Sequence, residues 1–246
     1  MRKEVLKEPT FEKEIAVMIR VSKSMDEMRE QLRAYHDNDI AQSLKYLNRA
    51  ERNLLYSGLD AKWLAEIMSY VDDPAPYIEE IGIDKLAEII NEMEADDAVD
   101  LWEDIDESVK VKLRPMLDDE KTMDILLINS YDEDEIGSLI TTNYIRIKQN
   151  LSIRQAMHEL VQQAGENDNI TTLYVVDDRG RFCGAIDLKD LIVARENVAL
   201  DSLISYAYPY LLDHEKISDS IEKIKDYAED SLPVLNKDKK IIGIIT

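Results

Sequence analysis

From about Thr10 to Leu127 the apolar residues recur at helical spacing, as in Leu64, Ile67, Met68 and Val71 and again in Leu86, Ile89, Ile90 and Met93. That period predicts short amphipathic helices. Leu64-Ala65-Glu66-Ile67 returns as Leu86-Ala87-Glu88-Ile89, with a looser echo in Val99-Asp100-Leu101-Trp102, which points to stacked helical hairpins of a solenoid kind. Asp72-Asp73-Pro74-Ala75-Pro76 interrupts the pattern. Proline removes a donor and restricts the residue before it, so a helix must end there. Gly58 and Gly82 mark further breaks. Trp63 and Trp102 lie on apolar stripes and are expected in the core.

Beyond about Ser130 the period changes. Thr171-Thr172-Leu173-Tyr174-Val175-Val176 is β-branched and aromatic, Asp177-Asp178-Arg179-Gly180 is turn chemistry, and Phe182-Cys183-Gly184-Ala185-Ile186 resumes a buried strand. This predicts a hairpin. Ser152 is placed to cap a helix running through Ala156, Leu160 and Val161, and Leu188 to Ala194 reads as a helix after the hairpin. The same order then recurs, because the stretch from Leu173 to Ile186 aligns without a gap on Leu232 to Ile245, an offset of 59 residues. Each copy is too small to bury both its faces, so the two are expected to pack on each other. Adding the offset to Asp190 reaches position 249, beyond Thr246, and the expectation is a natural polypeptide that continues.

Composition narrows the function. The net charge is -22, and between Asn91 and Ile136 seventeen Asp or Glu face four Lys or Arg. Such a field repels itself unless cations neutralise it, and it offers phosphate backbones no basic face, so nucleic acid is not an expected partner. The first thirty residues mix charges with no apolar signal region, and no apolar run is long enough to cross a bilayer. The chain therefore reads as soluble. A single cysteine, Cys183, rules out an intramolecular disulfide and suits a reducing compartment. His36, His158 and His214 lack ligand spacing, and no phosphate loop, nucleophile elbow or His-Glu-x-x-His is present, so no enzyme is expected. Asp96 and Asp100 stand four apart, on one face of a helix, with Asp97 beside them.

The tandem pattern around Leu173–Asp187 and Leu232–Thr246 resembles the cystathionine-β-synthase (CBS) repeat. Together with "ADDAVDLWEDI" and the "EDEIGSLITTNYIRI" linker at Glu133 to Ile147, it resembles the cytosolic region of MgtE-type magnesium transporters. The resemblance covers the chain from the mid-helical region onward and is weakest over the first fifty residues. It implies a multi-domain fold: an all-α, solenoid-like N domain over residues 1–130, then an α/β CBS pair at residues 131–200 and 201–246. It implies a CBS-mediated homodimer at the cytoplasmic face of the cell membrane and a transmembrane pore domain following in the same polypeptide.

In that family Mg²⁺ bridges the N and CBS domains when plentiful and closes the pore. The family's DD-x-x-D motif carries over to Asp96 and Asp100, with Asp97 adjacent. On the CBS side Lys216, Ser218 and Ala228 stand near positions where the family has acids, leaving Asp219, Asp226, Glu229 and Asp230 as substitutes. A CBS pair also implies an adenine nucleotide such as ATP, held at its ribose by a carboxylate. Here that carboxylate is Asp190 with Lys189 beside it, but Asp187 replaces the usual Ser or Thr and repels phosphate. A nucleotide-responsive CBS module and an acidic helical scaffold, similar to the middle segments of flagellar rotor proteins, are the other readings.

Overall fold

The computed structural model describes residues 11–165, 167–227 and 229–246. Its helical part comprises α1 (Glu12–Val21), α2 (Met25–Leu32), α3 (Asp37–Ser43), α4 (Arg49–Gly58), α5 (Ala61–Ser69), α6 (Ala75–Ile78), α7 (Ile83–Glu92), α8 (Ala95–Glu103), α9 (Glu107–Leu113) and α10 (Asp119–Ile128). The starts follow local chemistry. Ser24 accepts from Glu27 N–H to cap α2, Asn48 and Glu51 form a reciprocal capping box on α4, and Asp60 caps α5 through Trp63 N–H. The proline segment separates α5 from the one-turn α6, which begins directly after Pro74 and takes Pro76 in its first turn, where no N–H is needed. α4 ends at Gly58, and Gly82 immediately precedes α7.

The odd-numbered helices stack in a row, α1 on α3, α3 on α5, α5 on α7 and α7 on α9. The helices that carry the Leu-Ala-Glu-Ile echo, α5 and α7, are therefore neighbours, and Leu64, Ile67, Leu86 and Ile89 are buried. Trp102 is core as expected, whereas Trp63 is only half-buried: its indole N–H donates to Asp37 Oδ1 at 2.7 Å, and a polar anchor keeps one edge near water. Arg52 on α4 forks onto both oxygens of Glu80 at 2.7 Å each, donates to the carbonyls of Leu44 and Leu47, and lies over the Tyr77 ring. With side chains only 16% and 12% exposed, this pair is shielded enough to matter energetically.

The α/β part contains β1 (Ile145–Lys148), α11 (Ile153–Gln163), β2 (Thr172–Val176), β3 (Phe182–Asp187) and α12 (Leu188–Val193), then β4 (Leu211–Leu212), α13 (Ile217–Tyr227), β5 (Leu232–Leu235) and β6 (Ile241–Ile245). Ser152 and Gln155 form the capping box of α11. Each repeat makes a three-stranded sheet in which a short leading strand runs parallel to the first strand of an antiparallel hairpin. The leading strands β1 and β4 add to the helix, hairpin and helix read from sequence. Within the first repeat Ile145, Ile147, Ala156, Leu160, Leu173, Val175 and Ile186 share a core, which explains the buried-exposed alternation of β1.

The repeats pack on one another. Tyr174, Val176 and Ala185 of the first share a second core with Leu235, Ile241 and Ile244 of the second, flanked by Tyr144, Phe182 and Tyr208. The Tyr174 hydroxyl, fully buried, bonds Ser231 Oγ at 2.6 Å. Gly184 and its counterpart Gly243 are required by close approach: a Cβ on Gly184 would collide with Ser205 O, and one on Gly243 would sit 2.7 Å from Ile140 Cβ and 2.9 Å from Thr141 O. By contact clustering the chain divides into two compact units. One holds the described residues up to Met93 with Asp100–Thr122, and the other holds Glu94–Val99 with Met123–Thr246.

The Arg52 guanidinium holds the Glu80 carboxyl below its ordinary value of 4.5, by hydrogen bonding first and charge second. A depressed carboxyl stabilises the fold above the unfolded value and loses that contribution as pH falls through its own lower value. Glu80→Gln is expected to cost about 1–2 kcal/mol at pH 7, with the gap to the parent closing below about pH 4, as read by urea unfolding across pH. A second expectation concerns the hairpin turns, where Gly180 at φ 76° is matched by Lys239 at φ 61°. Lys239→Gly relieves left-handed strain and should stabilise the chain by about 0.5–1 kcal/mol in the same assay.

Candidate functional site

The acids singled out from the sequence fall on two helices and one connection. Asp96 and Asp97 occupy the first turn of α8, both half-buried, and Asp100 lies one turn further, exposed. Acids in a first turn also complement the helix dipole, about 0.3–1 kcal/mol each. That accounts for Asp96 and Asp97 without a ligand; it does not account for Asp100. Asp100 has Asp104 four residues on, and its carboxyl is raised above the ordinary 3.8, by the partial burial of the carboxyl first and by the Asp104 charge second. The helical unit therefore disfavours ionised Asp100 even though its side chain still meets water.

In the second repeat Asp219 is in the first turn of α13 and Asp226 in its last, seven residues apart and so on nearly the same face, about 10 Å along the axis. Glu229 and Asp230 precede β5, and all four are exposed. Lys216, in a position where an acid was expected, donates to Asp134 Oδ1 at 2.6 Å. Ser218 donates to Asp219 Oδ1 at 3.1 Å, and Ala228 lies outside the described residues. Among the described residues no three His, Cys, Asp or Glu side chains stand together in a group able to hold a metal ion. The predicted acids therefore form no cage of direct ligands.

Asp190 and Lys189 are exposed in the first turn of α12. Asp187, the departure from Ser or Thr, serves the fold: its Oδ1 accepts from Lys189 N–H at 2.7 Å and caps α12. A hydroxyl would make the same bond, so the substitution preserves the turn while adding a negative charge.

Sequence reasoning missed the fittings of the linker. Ile136 N–H donates to Glu215 O at 2.9 Å, Gly137 N–H to Asp213 O at 2.8 Å, and Ile217 N–H returns to Asp134 O at 2.9 Å. Tyr131 donates to the buried Asp213 at 3.3 Å, and burial with that carboxylate pushes the phenol up to about 12. His214 Nδ1 sits 3.2 Å from Glu135 Oε1 with its ring against Tyr131. Further along, Glu94 receives Thr141 Oγ1 at 3.1 Å and Asn143 Nδ2 at 2.9 Å, and Thr142 Oγ1 donates to Asp124 at 3.0 Å. The only signal for these in the sequence is a run of neutral donors, Thr141-Thr142-Asn143, beside an acidic stretch.

A row of helical hairpins leading into two pseudo-symmetric repeats that share a core defines a class, that of regulatory regions built on a CBS pair. Residues 35–134 match the family of the MgtE intracellular N domain, and residues 136–197 and 201–246 each match the CBS domain. The chain is 29% identical over 242 residues to the magnesium transporter MgtE of Enterococcus faecalis, covering 96% of this chain and 53% of that protein. It is 25% identical over 224 residues to MgtE of Thermus thermophilus, covering 89% and 50%. The crystal structure of the soluble part of a magnesium transporter superposes with a TM-score of 0.88 at 28% identity, covering 96% of this chain and 94% of that one. The cytosolic domain of the Mg²⁺ channel MgtE, in complex with ATP, does so with 0.85 at 25% identity, covering 94% and 96%. Residues 35–134 therefore belong to the MgtE intracellular N domain family and residues 136–197 and 201–246 to the CBS family, and over nearly its whole length the chain is similar to the cytosolic domain of MgtE. It spans about half the length of the curated relatives it matches, and no helix among the described residues is long and apolar enough to cross a membrane.

Replacing Asp100 by Asn is expected to stabilise the helical unit in EDTA at neutral pH, by less than about 1 kcal/mol because water screens the group. A raised carboxyl costs stability above its folded value and nothing once protonated. The gain should therefore fade as pH falls, which a melting series from pH 7 to pH 3 would read.

Proposed function

We propose that this chain is the Mg²⁺-sensing regulatory region of a magnesium transporter or channel, in which Mg²⁺ bridging acidic surfaces of the N and CBS domains favours the closed pore. What supports this is the likeness over 94% of the chain to the cytosolic domain of the Mg²⁺ channel MgtE, together with Asp96 and Asp100 standing one turn apart on α8. Asp96 and Asp100, with Asp97, are the N-domain ligands in this reading, and Asp219, Asp226, Glu229 and Asp230 supply the CBS side. Two carboxylates and several waters give modest affinity, which suits a sensor of an abundant cation. The region acts as a homodimer joined through the CBS domains. Val161 on α11 and Ile192 and Val193 on α12 are 67%, 61% and 70% exposed, on helices that pack together, and leave an apolar face for a second copy. The pore domain follows in the same polypeptide.

A second ligand is an adenine nucleotide, since a relative of the same architecture is known in complex with ATP. Asp190 is the ribose ligand in this reading, and Lys189 only partly offsets the charge of Asp187 toward phosphate.

The test is small-angle scattering with limited proteolysis of the 246-residue chain, comparing millimolar MgCl₂ with EDTA at matched ionic strength so that screening is excluded. Mg²⁺-specific contraction is expected. Asp96→Asn with Asp100→Asn should require several-fold more Mg²⁺ for it, and an unchanged response removes those residues from the site. Calorimetric titration with ATP should give a Kd that weakens about tenfold in Asp190→Ala. A response to ATP with none to Mg²⁺ would replace the cation sensor by a nucleotide module.

A further inference from the structure

Glu94, a carboxylate of the acidic stretch, has no part in the cation reading. Glu94 directly precedes α8 and is two residues from Asp96. Its two oxygens are held separately, Oε2 by the Thr141 hydroxyl at 3.1 Å and Oε1 by the Asn143 amide at 2.9 Å. All three residues belong to the same compact unit.

Both donors are themselves fixed by backbone. Thr141, buried, exchanges two backbone hydrogen bonds with Ile244 on β6, each 2.9 Å, and its Oγ1 accepts from Asn143 N–H at 3.4 Å. Asn143 Oδ1 accepts from Asp168 N–H at 2.7 Å, which settles the orientation of its amide and aims the NH₂ at Glu94. The receptor is therefore built on strand β6 of the second repeat and on the connection before β2 of the first.

We infer that Glu94 is a positioning residue: a carboxylate latch, closed by neutral donors, that sets the first turn of α8 and with it Asp96 and Asp97. Hydrogen bonds from a hydroxyl and an amide to a carboxylate need no cation. The latch therefore keeps its hold when divalent cations are chelated, and a cation at Asp96 meets a ligand already placed. Preorganisation of that kind lowers the concentration at which a weak ligand acts. The effect on Mg²⁺ rests on the function proposed above; the latch itself does not.

Exchanging donor and acceptor tests it. In Glu94→Gln one acceptor becomes an NH₂ facing another NH₂ or a hydroxyl. In Asn143→Asp a donor becomes an acceptor facing Glu94, while the oxygen that serves Asp168 N–H is retained. The double variant restores both bonds, because the amide introduced at position 94 donates to the carboxylate at position 143 and accepts from Thr141, and it leaves the net charge unchanged.

Hydrogen exchange of the chain in EDTA should show amide protection at Ala98, whose N–H donates to Glu94 O, and at Val99 reduced about tenfold in each single variant and recovered in the double, with Leu173–Val175 as an unaffected reference. The Mg²⁺ midpoint for contraction should rise several-fold in the singles and return in the double. Parent-like protection in the singles, or a double no better than either, overturns the latch. Recovered protection with midpoints that never moved overturns its positioning role. A parent chain that does not respond to Mg²⁺ sinks the sensor and the positioning role together, while the exchange data still decide the latch.

Discussion

A fold with 52 acidic and 30 basic residues must find somewhere to put its carboxylates, and that constraint organises the molecule more than any single apolar contact. Three solutions coexist. Glu80 and Asp177 are matched by arginine, in the fork with Arg52 and in the turn with Arg181. Glu94 and Asp124 are met by neutral hydroxyl and amide donors on the linker. Asp100 receives neither and is left near Asp104 with its ionisation opposed. The first two kinds of carboxylate are structural, because their oxygens already have donors that a cation would have to displace. The third kind keeps its cost in the folded state, from partial burial first and the Asp104 charge second, and in the sensor reading proposed above it is a carboxylate that a cation would meet.

The CBS pair supplies the rigid frame for this arrangement. Its interior is a ring-rich core in which Tyr174 contacts Tyr144, Phe182 and Tyr208 edge-on or tilted, and its backbones approach closely enough that Gly184 and Gly243 exclude any side chain. That closeness delivers Thr141 to β6 as part of the sheet-like pairing, so its hydroxyl is not free to drift. A hydrogen bond made by such a group restricts its partner in a way that a lysine on a long flexible stem does not. The linker is therefore a fitted part of the second unit, pinned at Asp134, Ile136 and Gly137 by backbone bonds to residues 213–217.

Much of the fold was legible because its signals are local. The helix cap at Ser152, the turn at Asp177–Gly180 and the 59-residue repeat can each be read within a few residues or by self-comparison. What was not legible depends on partners distant in sequence. Strand β4 is two residues long and exists because Leu211 and Leu212 meet Val234 and Leu235. Trp63 looked apolar on its own stripe, and Asp37, twenty-six positions away, decides otherwise. Asp187 read as a lost hydroxyl, whereas its carboxylate performs the capping that the hydroxyl would have done. Of the candidate site, the α8 acids were visible as a spacing, but the receptor for Glu94 lies 47 and 49 residues further along and has no motif.

The same distinction explains why a responsive surface belongs on exposed pairs of acids and not in a preformed cage. A cage of carboxylates assembled without metal would store the full mutual repulsion of its ligands in the folded state, and in a chain of net charge -22 that cost adds to an existing one. Distributing the ligands keeps each local penalty small, as the water-contacting position of Asp100 does, and leaves the repulsion to act between surfaces. In the sensor reading proposed above, binding would then have a weak affinity and a large effect on separation, because its free energy would go into bringing charged faces together and little would be held in any one site. A neutral-donor latch at Glu94 fits that arrangement, because it holds one end of the acidic helix in register without consuming any of the charge that the cation must find.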